Sequence, residues 1–377
     1  MTNGLIEVDY DEVRKNHLLP FIKDFKAAYK SPQKTQIIAH NDADGITSAA
    51  IFSKILDNFG LKYKKDYFVY FGTNEERKAE LPQTHELIRG IKEAKIIIYL
   101  DYLSVHADKG KKVFIVDHHN KQDGYNYAHA TWYYPLNGEI YRPSASAYCY
   151  DIYQGLFGEN HDVKILGVIG AVGDSMLPNS LEYLRIKERQ QPFFVGCQIS
   201  WLFFEIQRLF LLADDNNSCV KIFEFILEKT NSKAITDLIA LPESIDEEIH
   251  KKLKKNNEVV NTVKSRMEIY EDLKLIFIEM TPAEAGSKDS VFSYLWLYYP
   301  GYLNMIDIDF RGIVSLSMRS NTYDIYDLFE KVQNNLPELV FGGHPFAAGG
   351  KIPKSKVKLL KDLIISEVKT GKIKMID

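Results

Sequence analysis

The sequence has few cysteines and no long apolar run. Its three cysteines, Cys149, Cys197 and Cys219, are far apart and form neither a metal-binding spacing nor a disulfide framework. No apolar run reaches the roughly 18 residues that a membrane span needs, and the N-terminus has no apolar signal core. These absences argue against a disulfide-rich secreted protein and against a membrane protein. We therefore expect a protein of the reducing cytoplasm.

A surplus of basic residues is absent as well. The 377 residues include 47 Lys and Arg and 51 Asp and Glu, which give a formal net charge of −4. A generally basic nucleic-acid-binding surface is thereby excluded, so any binding of nucleic acid must be local. Internal repeats and low-complexity segments are also missing. With 45% apolar residues, the chain is long enough for two domains, each with its own core.

The most informative stretch is TQIIAHNDADGITSAAIFS, residues 35–53. The apolar residues 37–39 predict a buried strand that ends at HNDADG, and after Gly45 the apolar spacing becomes helical. Open α/β sheets bind their ligands at such strand ends. The imidazole and two carboxylates of HNDADG need compensation, for which a divalent cation is the usual means. The alternative is a polar turn that caps the following helix.

Further strands and helices are predicted in the first half of the chain. The strands are 66–71, 95–100 and 112–116, and the helices are 10–29, 86–93 and 144–157, the last capped by Ser144. Strands that alternate with helices indicate a parallel sheet covered on both faces. Neighbouring parallel strands lie about 5 Å apart, so the groups that follow their carboxyl ends should converge.

Acidic and imidazole side chains follow several of these segments. Asp101 comes directly after strand 95–100, and Asp117, His118 and His119 come after strand 112–116. The apolar segment 162–173 is helix or strand by its periodicity, and it ends at Asp174. Taken singly, Asp101 could cap a turn, and an acid near a helix end such as Asp174 is common. The prediction therefore depends on these groups lying together.

The combined set holds four carboxylates and three imidazoles. Its members are His40, Asp42, Asp44, Asp101, His118, His119 and Asp174. Carboxylates with a few imidazoles and no thiolate suit a hard or borderline divalent ion such as Mn²⁺. Seven groups are too many for one tetrahedral site, and they suit a two-metal centre for phosphoryl transfer.

The second half of the chain begins with a helical pattern from 181 to about 267. Its basic run at 251–255 fits a solvated helix face better than a phosphate-binding patch. From about residue 273, β-type patterns return. They are LKLIFIEM, SVFSYLWLYYPG, YLNMIDIDFRG and GIVSLSMRS, followed by a helix at 323–332, a Gly-rich loop at 341–350 that runs into a short strand, and a helix at 357–368. This order predicts a second, smaller α/β domain.

The Gly-rich loop offers groups that suit a phosphate. Gly342 and Gly343 allow backbone N–H groups to approach an anion closely, and His344 can donate to it. Arg319, after the strand SLSM, is a bidentate phosphate donor. The alternative for Arg319 is a surface ion pair.

Four of these motifs resemble those of the DHH phosphoesterases. They are HNDADG, the Asp after an apolar strand, VDHHN and GDS, and the later FGGHPFAAGG, preceded by SLSMRS, resembles the DHHA1 domain. The resemblance implies an α/β protein with a parallel-sheet DHH domain at 1–180, a helical connector at 181–270 and a smaller α/β DHHA1 domain at 271–377. It also implies an active site in the cleft between the two domains.

The resemblance further implies two Mn²⁺ ions, with Mg²⁺ as an alternative. The implied ligands of one ion are His40 and Asp42, and those of the other are Asp44, His118 and Asp174. Asp101 would bridge the two ions. His119 would contact the scissile phosphate, and Asp117 would orient its neighbouring imidazole. Arg319 and His344, with the loop glycines, would hold the substrate phosphate.

The implied function is a RecJ-like exonuclease that hydrolyses single-stranded DNA or RNA from an end. The alternatives are a nanoRNase or (cyclic) dinucleotide phosphodiesterase that degrades very short oligonucleotides, and a binding module of a replication or repair complex. FGGHPFAAGG argues against the related pyrophosphatases, which carry a different second domain. Tyr125, Tyr127 and Trp132 could stack bases, although a core role fits them better. The sequence does not decide whether the substrate is DNA or RNA, from which end it is cleaved, or which protein is the partner. It also leaves the oligomeric state open, and a dimer is one possibility.

Overall fold

The computed structural model describes residues 9–72, 92–102, 110–119, 130–133, 143–174, 180, 183–184, 206–232, 241–371 and 373–374. The chain forms two compact units, Met1–Ile249 and His250–Asp377, which we describe one at a time. The division at 180 and 270 expected from the sequence stays a prediction, as does the cleft between the domains. Of the predicted helix 86–93, only the last two residues are described, and both are helical. None of the described helices combines the length and apolar character that crossing a bilayer requires.

A five-stranded parallel sheet forms the centre of the first unit, as predicted. Its strands, in the spatial order β2-β1-β3-β4-β5, are β1 Thr35–His40, β2 Tyr67–Gly72, β3 Ile96–Leu100, β4 Lys112–Val116 and β5 Ala130–Tyr133. β1 and β3 are buried along their whole length, because helices and loops cover both faces of a parallel sheet. β5 was not predicted, since four residues are too few to produce a periodic pattern.

The helices of the first unit agree with most of the predictions. They are α1 Tyr10–Val13, α2 Leu19–Ala28, α3 Ala43–Asn58, α4 Ala145–Phe157, α5 His161–Gly173 and α6 Asn216–Asn231, and α7 Glu243–Lys264 runs into the second unit. A π-helical turn, Arg14–Leu18, joins α1 to α2, and Phe21 and Phe25 anchor α2 in the core. The cap of α4 is confirmed, because the Ser144 side chain accepts a hydrogen bond from the Ala147 N–H. The ambiguous segment 162–173 is a helix.

The start of α3 was predicted wrongly. The helix begins at Ala43 rather than after Gly45, and the Asp42 side chain caps it by accepting a hydrogen bond from the Gly45 N–H at 2.9 Å. Gly45 therefore lies in the first helical turn. A Cβ there would lie 2.2 Å from the carbonyl oxygen of His40. The glycine serves a close approach of helix to strand, so it does not mark the end of a loop.

The second unit contains a six-stranded mixed sheet of order β10-β11-β9-β8-β7-β6. The strands are β6 Met267–Tyr270, β7 Leu275–Met280, β8 Leu303–Phe310, β9 Ile313–Arg319, β10 Val340–His344 and β11 Ala347–Pro353. Only β7 and β8 are parallel neighbours among these strands. Besides the C-terminal part of α7 and three short 3-10 helices, the α-helices described in this unit are α8 Lys288–Tyr298, α9 Ile325–Asn335 and α10 Val357–Thr370. The predicted second α/β domain is confirmed.

Two local predictions in this unit were wrong. SVFSYLWLYYPG forms α8 instead of a strand, and Val291, Phe292 and Leu295 bury one helical face of it. Aromatic and β-branched residues favour strands, but packing of this face decides the conformation. The Gly-rich segment 341–350 is a hairpin of β10 and β11 rather than a loop, and Gly342 pairs with Gly349 in register.

Candidate metal centre

The parallel sheet brings three of the predicted segments to one edge. β3 lies between β1 and β4, so the carboxyl ends of these strands are neighbours. His40 is the last residue of β1, Asp101 follows β3 and Asp117 follows β4. Asp101 adopts a left-handed backbone conformation, with φ +52°, which is uncommon for a residue other than glycine, although Asp tolerates it better than most.

One group of possible ligands surrounds His40. Its Nδ1 contacts the carboxylate of Asp42 and lies 3.4 Å from Oδ2 of Asp101. The His40 ring and Asp101 are buried, whereas Asp42 is partly exposed at the start of α3. One oxygen or nitrogen from each of the three residues lies within 4.8 Å of the others, which is close enough to share one ion.

A second group surrounds His118. Its Nε2 lies 3.2 Å from Oδ2 of Asp174, 3.4 Å from Oδ1 of Asp101 and 3.9 Å from Oδ2 of Asp44. Ligand atoms of Asp44, His118 and Asp174 also lie within 4.8 Å of one another. Because Asp101 presents one oxygen to each group, it lies where a shared ligand would be.

The carboxylate of Asp44 is held by the N-terminus of α4. The backbone N–H of Ala145 donates to its Oδ2 at 2.8 Å, and that of Ser146 donates to its Oδ1 at 2.9 Å. The positive end of the helix dipole favours a carboxylate there. Nevertheless, burial raises the pKa of Asp44 to about 7, the Asp101 carboxylate adds to the rise, and His118 opposes it. A bound cation would favour the ionised form of this group.

A glycine on α5 leaves the space that Asp44 occupies. A Cβ at Gly170 would lie 2.7 Å from Oδ1 of Asp44 and 2.3 and 2.4 Å from the hydroxyl oxygens of Ser146 and Thr47. Since α5 ends at Gly173 and Asp174 follows it, the same close packing brings Asp174 to His118. Sequence reasoning missed Gly170, for which the spacing in GVIGAVG, with glycine at every third position, was only a weak signal of close helix packing.

Asp117 organises the two consecutive histidines. Its Oδ1 accepts hydrogen bonds from the backbone N–H groups of His118, at 2.6 Å, and His119, at 2.9 Å, and lies 2.8 Å from Nδ1 of His119. Nδ1 of His119 is also 3.3 Å from Oδ1 of Asp101. Asp117 and His118 are buried, whereas His119 is partly accessible. The arrangement orients the His119 ring at the rim of the cluster.

The donor set fits divalent cations. Buried carboxylate oxygens repel one another unless protons or cations compensate them, and the set combines carboxylates with imidazoles and no thiolate. Such ligands suit Mn²⁺ and, through their oxygens, Mg²⁺. The seven groups predicted from the sequence are thus placed together by the structure, whereas their roles as ligands stay predictions.

The predicted phosphate-binding residues lie together in the second unit. Arg319 ends β9 and pairs in register with Ala347 of β11, which in turn pairs with His344 at the end of β10. The Arg319 guanidinium carbon lies 5.2 Å from the ring centroid of Phe292 on α8. Gly343 has φ +144°, and a Cβ there would lie 2.4 Å from the carbonyl oxygen of Ala347. Arg319, Ala347 and His344 thus lie side by side at one end of the neighbouring strands β9, β11 and β10.

Two family models match the sequence. The DHH family, N-terminal domain, matches residues 34–172, and the DHHA1 domain matches residues 305–370. Together the matches cover more than half of the chain. No curated protein matches it.

Solved structures share the fold at low sequence identity. A DHH domain described as a member of a family of ribosomal proteins has a TM-score of 0.65 at 14% identity, over 97% of this chain and 93% of that one. Exonuclease RecJ bound to manganese has a TM-score of 0.57 at 14% identity, over 93% and 94%. RecJ from Thermus thermophilus in complex with Mg²⁺ has a TM-score of 0.60 at 12% identity, over 97% of this chain but 53% of that protein. The chain thus spans about half the length of the Thermus protein.

Proposed function

The chain belongs to the DHH/DHHA1 family, and on that premise we propose that it is a manganese-dependent phosphodiesterase that trims single-stranded DNA or RNA from an end. The observation that carries the proposal is the convergence of acids and imidazoles at one edge of the parallel sheet. Three strand ends and two helix termini supply them. The resemblance to a RecJ bound to manganese supports the choice of metal and of reaction.

The two groups of ligand atoms would hold the two ions. His40 and Asp42 would bind one, Asp44, His118 and Asp174 the other, and Asp101 both. When bound, a pair of divalent cations supplies Lewis-acid activation of water and neutralises charge on the phosphoryl oxygens.

The protein's own side chains would orient the substrate. Asp117 fixes the ring of His119 through Nδ1, so the opposite ring nitrogen, Nε2, would face the scissile phosphate. The His119 side chain is partly accessible, which suits a group that contacts substrate. His118 is buried, which suits a ligand of a metal ion. His119 is thus the candidate donor to a phosphoryl oxygen.

The second unit would supply recognition of a strand end. Arg319 can bind a phosphate through two parallel N–H groups. Gly343, whose φ of +144° favours glycine, would let a phosphate approach the backbone of the hairpin closely. A terminal phosphate held there would restrict cleavage to the strand end, which makes the enzyme an exonuclease.

The proposal is tested with end-labelled single-stranded DNA and RNA that range from a dinucleotide to a long strand. We expect Mn²⁺-dependent release of mononucleotides from one end, at a rate that does not fall with strand length, and loss of the reaction in EDTA. Rapid cleavage of dinucleotides together with failure on long strands would instead indicate a short-oligonucleotide phosphodiesterase. Undetectable hydrolysis at every length would contradict the proposal and leave a binding module of a replication or repair complex.

A further inference from the structure

The last turn of α8 exposes three large side chains in succession. Trp296 is 45% exposed, Leu297 73% and Tyr298 63%. Single exposed apolar residues are ordinary on protein surfaces, so the surroundings of each of the three decide whether it has a role. The rest of the apolar face of α8, including Leu295, is buried against the sheet.

Helix geometry separates these three side chains. Residues four apart lie on the same helical face, so Trp296 lies beside Phe292, one turn away. Phe292 is the residue whose ring carries the Arg319 guanidinium, at 5.2 Å. Leu297 and Tyr298 lie on other sides of the helix, and the Tyr298 ring packs against Tyr294 at 4.6 Å. Trp296 is thus the exposed aromatic residue on the Arg319 side of α8.

Loop contacts place the end of α8 at the same edge of the sheet as the hairpin turn. The hydroxyl of Thr322, after β9, donates to the carbonyl oxygen of Gly301, after α8, at 3.3 Å. The backbone N–H of Ser320 donates to the carbonyl oxygen of Phe346 in the hairpin turn at 3.1 Å. Arg319 therefore lies between the end of α8 and the hairpin.

The residues beside Arg319 on its face of the sheet have small side chains. Cross-strand partners in an antiparallel sheet point to the same face, and alternate residues of a strand share a face. On the Arg319 face, the register therefore places Ala347 beside Arg319, and Ser317 beside Gly349 and Gly342. Small side chains at these positions leave room for a flat group between the hairpin and α8.

We propose that Trp296 stacks on a base of the strand whose phosphate Arg319 holds. The inference rests on the proposed function and adds that the substrate must carry a base, as a single-stranded nucleic acid does and a polyphosphate does not. An indole one helical turn from the ring that packs against the guanidinium suits the alternation of base and phosphate along a strand, and stacking of a base on an aromatic side chain is independent of base identity. The site would therefore favour nucleic acid without reading its sequence.

Binding measurements with base-containing and abasic strands test this inference. The full chain carrying Asp101→Asn, so that the strand is not consumed, is titrated into fluorescently labelled single-stranded DNA with Mn²⁺, and a single abasic site is moved along the strand from each end. At one position we expect the missing base to weaken binding by about tenfold. Trp296→Ala should weaken binding of the intact strand by a similar factor and remove the effect of the abasic site. Trp296→Phe should restore most of the affinity for the intact strand and most of the effect of the abasic site.

Leu297→Ala is the matched control, because Leu297 is more exposed on the same turn but lies on another side of the helix. It should leave both affinities unchanged. Equal losses for intact and abasic strands in Trp296→Ala, or no loss, would overturn the inference and leave the exposed turn as a surface for a protein. Failure of the proposed function is seen separately, as missing Mn²⁺-dependent hydrolysis by the unaltered chain, because the stacking measurement requires no turnover.

Discussion

The two units place their candidate functional residues in opposite ways. In the first unit, buried carboxylates and imidazoles from separate segments meet at the edge of a parallel sheet. In the second unit, one arginine stands beside glycines and other small residues at the edge of a mixed sheet. The first arrangement concentrates charge, as the proposed phosphoryl transfer would require, and the second leaves space, as the proposed binding of substrate would require. We therefore expect substitutions in the first unit to lower kcat and substitutions in the second to raise KM.

The largest effect is expected from Asp101→Asn. Asp101 faces both groups of proposed ligands, so loss of its charge should impair the binding of both proposed ions. A bound divalent cation supplies several kcal/mol of charge stabilisation. We expect kcat for a single-stranded oligonucleotide in Mn²⁺ to fall by at least about a thousandfold. The circular dichroism spectrum should not change. Asp24→Asn, an exposed acid of the same unit, is the control, and full turnover by Asp101→Asn would refute the two-ion assignment.

The next largest effect is a difference in Mn²⁺ affinity between alanine substitutions at two glycines of α5. Gly170→Ala places a methyl group 2.7 Å from Oδ1 of Asp44, whereas the nearest atoms to a Cβ at Gly167 are at 3.4 Å. Overpacking of this kind costs about 1–3 kcal/mol, and displaced ligands lose about tenfold or more in metal affinity. We expect Gly170→Ala to weaken Mn²⁺ binding in calorimetry and Gly167→Ala to leave it unchanged. Equal affinities in the two variants would show that the space beside Asp44 does not matter.

A smaller effect, on KM, is expected from Arg319→Ala. Loss of a charge-assisted bidentate contact to phosphate should raise KM by about tenfold or more while kcat changes little. Lys351→Ala is the control, since Lys351 lies on the neighbouring strand β11 and pairs with Ser315, four residues before Arg319 on β9. Steady-state kinetics on a short oligonucleotide separate the two constants. A fall in kcat without a change in KM would contradict the expectation that the first unit acts on kcat and the second on KM.

The smallest effect concerns a buried acid of the second unit that we do not place in a site. Burial raises the pKa of Asp307 to about 6, Lys361 opposes the rise, and Glu279 adds to it. Because the folded-state pKa exceeds the unfolded one, Asp307 contributes stability at low pH that is lost as the pH rises from about 4 to about 6. The loss is at most about 3 kcal/mol.

Urea denaturation at pH 4 and pH 7 measures this contribution. The urea concentration at the midpoint of unfolding should fall less from pH 4 to pH 7 in Asp307→Asn than in the unaltered chain, and turnover should stay intact. Asp309→Asn is the matched control on the same strand, because a hydrogen bond from Lys354 lowers the pKa of Asp309 and its contribution has the opposite sign. If Asp307→Asn abolished turnover, buried charge would be functional in both units.

The strand ends were predictable from the sequence. Because most residues of the candidate site follow a strand end, most of the site was predictable as well. The apolar runs before His40, Asp101 and His118 identify buried parallel strands, and parallel strands must end at the same edge of a sheet. Asp174 was different. It follows a helix, and its place depends on how closely α5 packs on α3, which glycine spacing indicates only weakly. The capture of Asp44 by the N-terminus of α4 is a tertiary contact that no local pattern contains.

The second unit was harder to predict because its residues fit two conformations. SVFSYLWLYYPG is rich in residues that favour strands, yet burial of one face makes it a helix, and the exposed Trp296 was therefore not considered as a binding residue. The glycines of residues 341–350 suggested a loop that runs into a short strand, whereas these residues pair across a hairpin. Of the aromatic residues proposed for stacking from the sequence, Tyr125 and Tyr127 lie outside the described residues, and Trp132 lies in β5, packed against the smaller of the two clusters on the parallel sheet.

Anomalous diffraction at the manganese edge, from crystals of the full chain grown with Mn²⁺, tests the central claim most directly. The account predicts two peaks in the first unit, one bound by His40 and Asp42 and the other by Asp44, His118 and Asp174, with Asp101 bound to both. A single peak, or peaks that none of these side chains contacts, would contradict it.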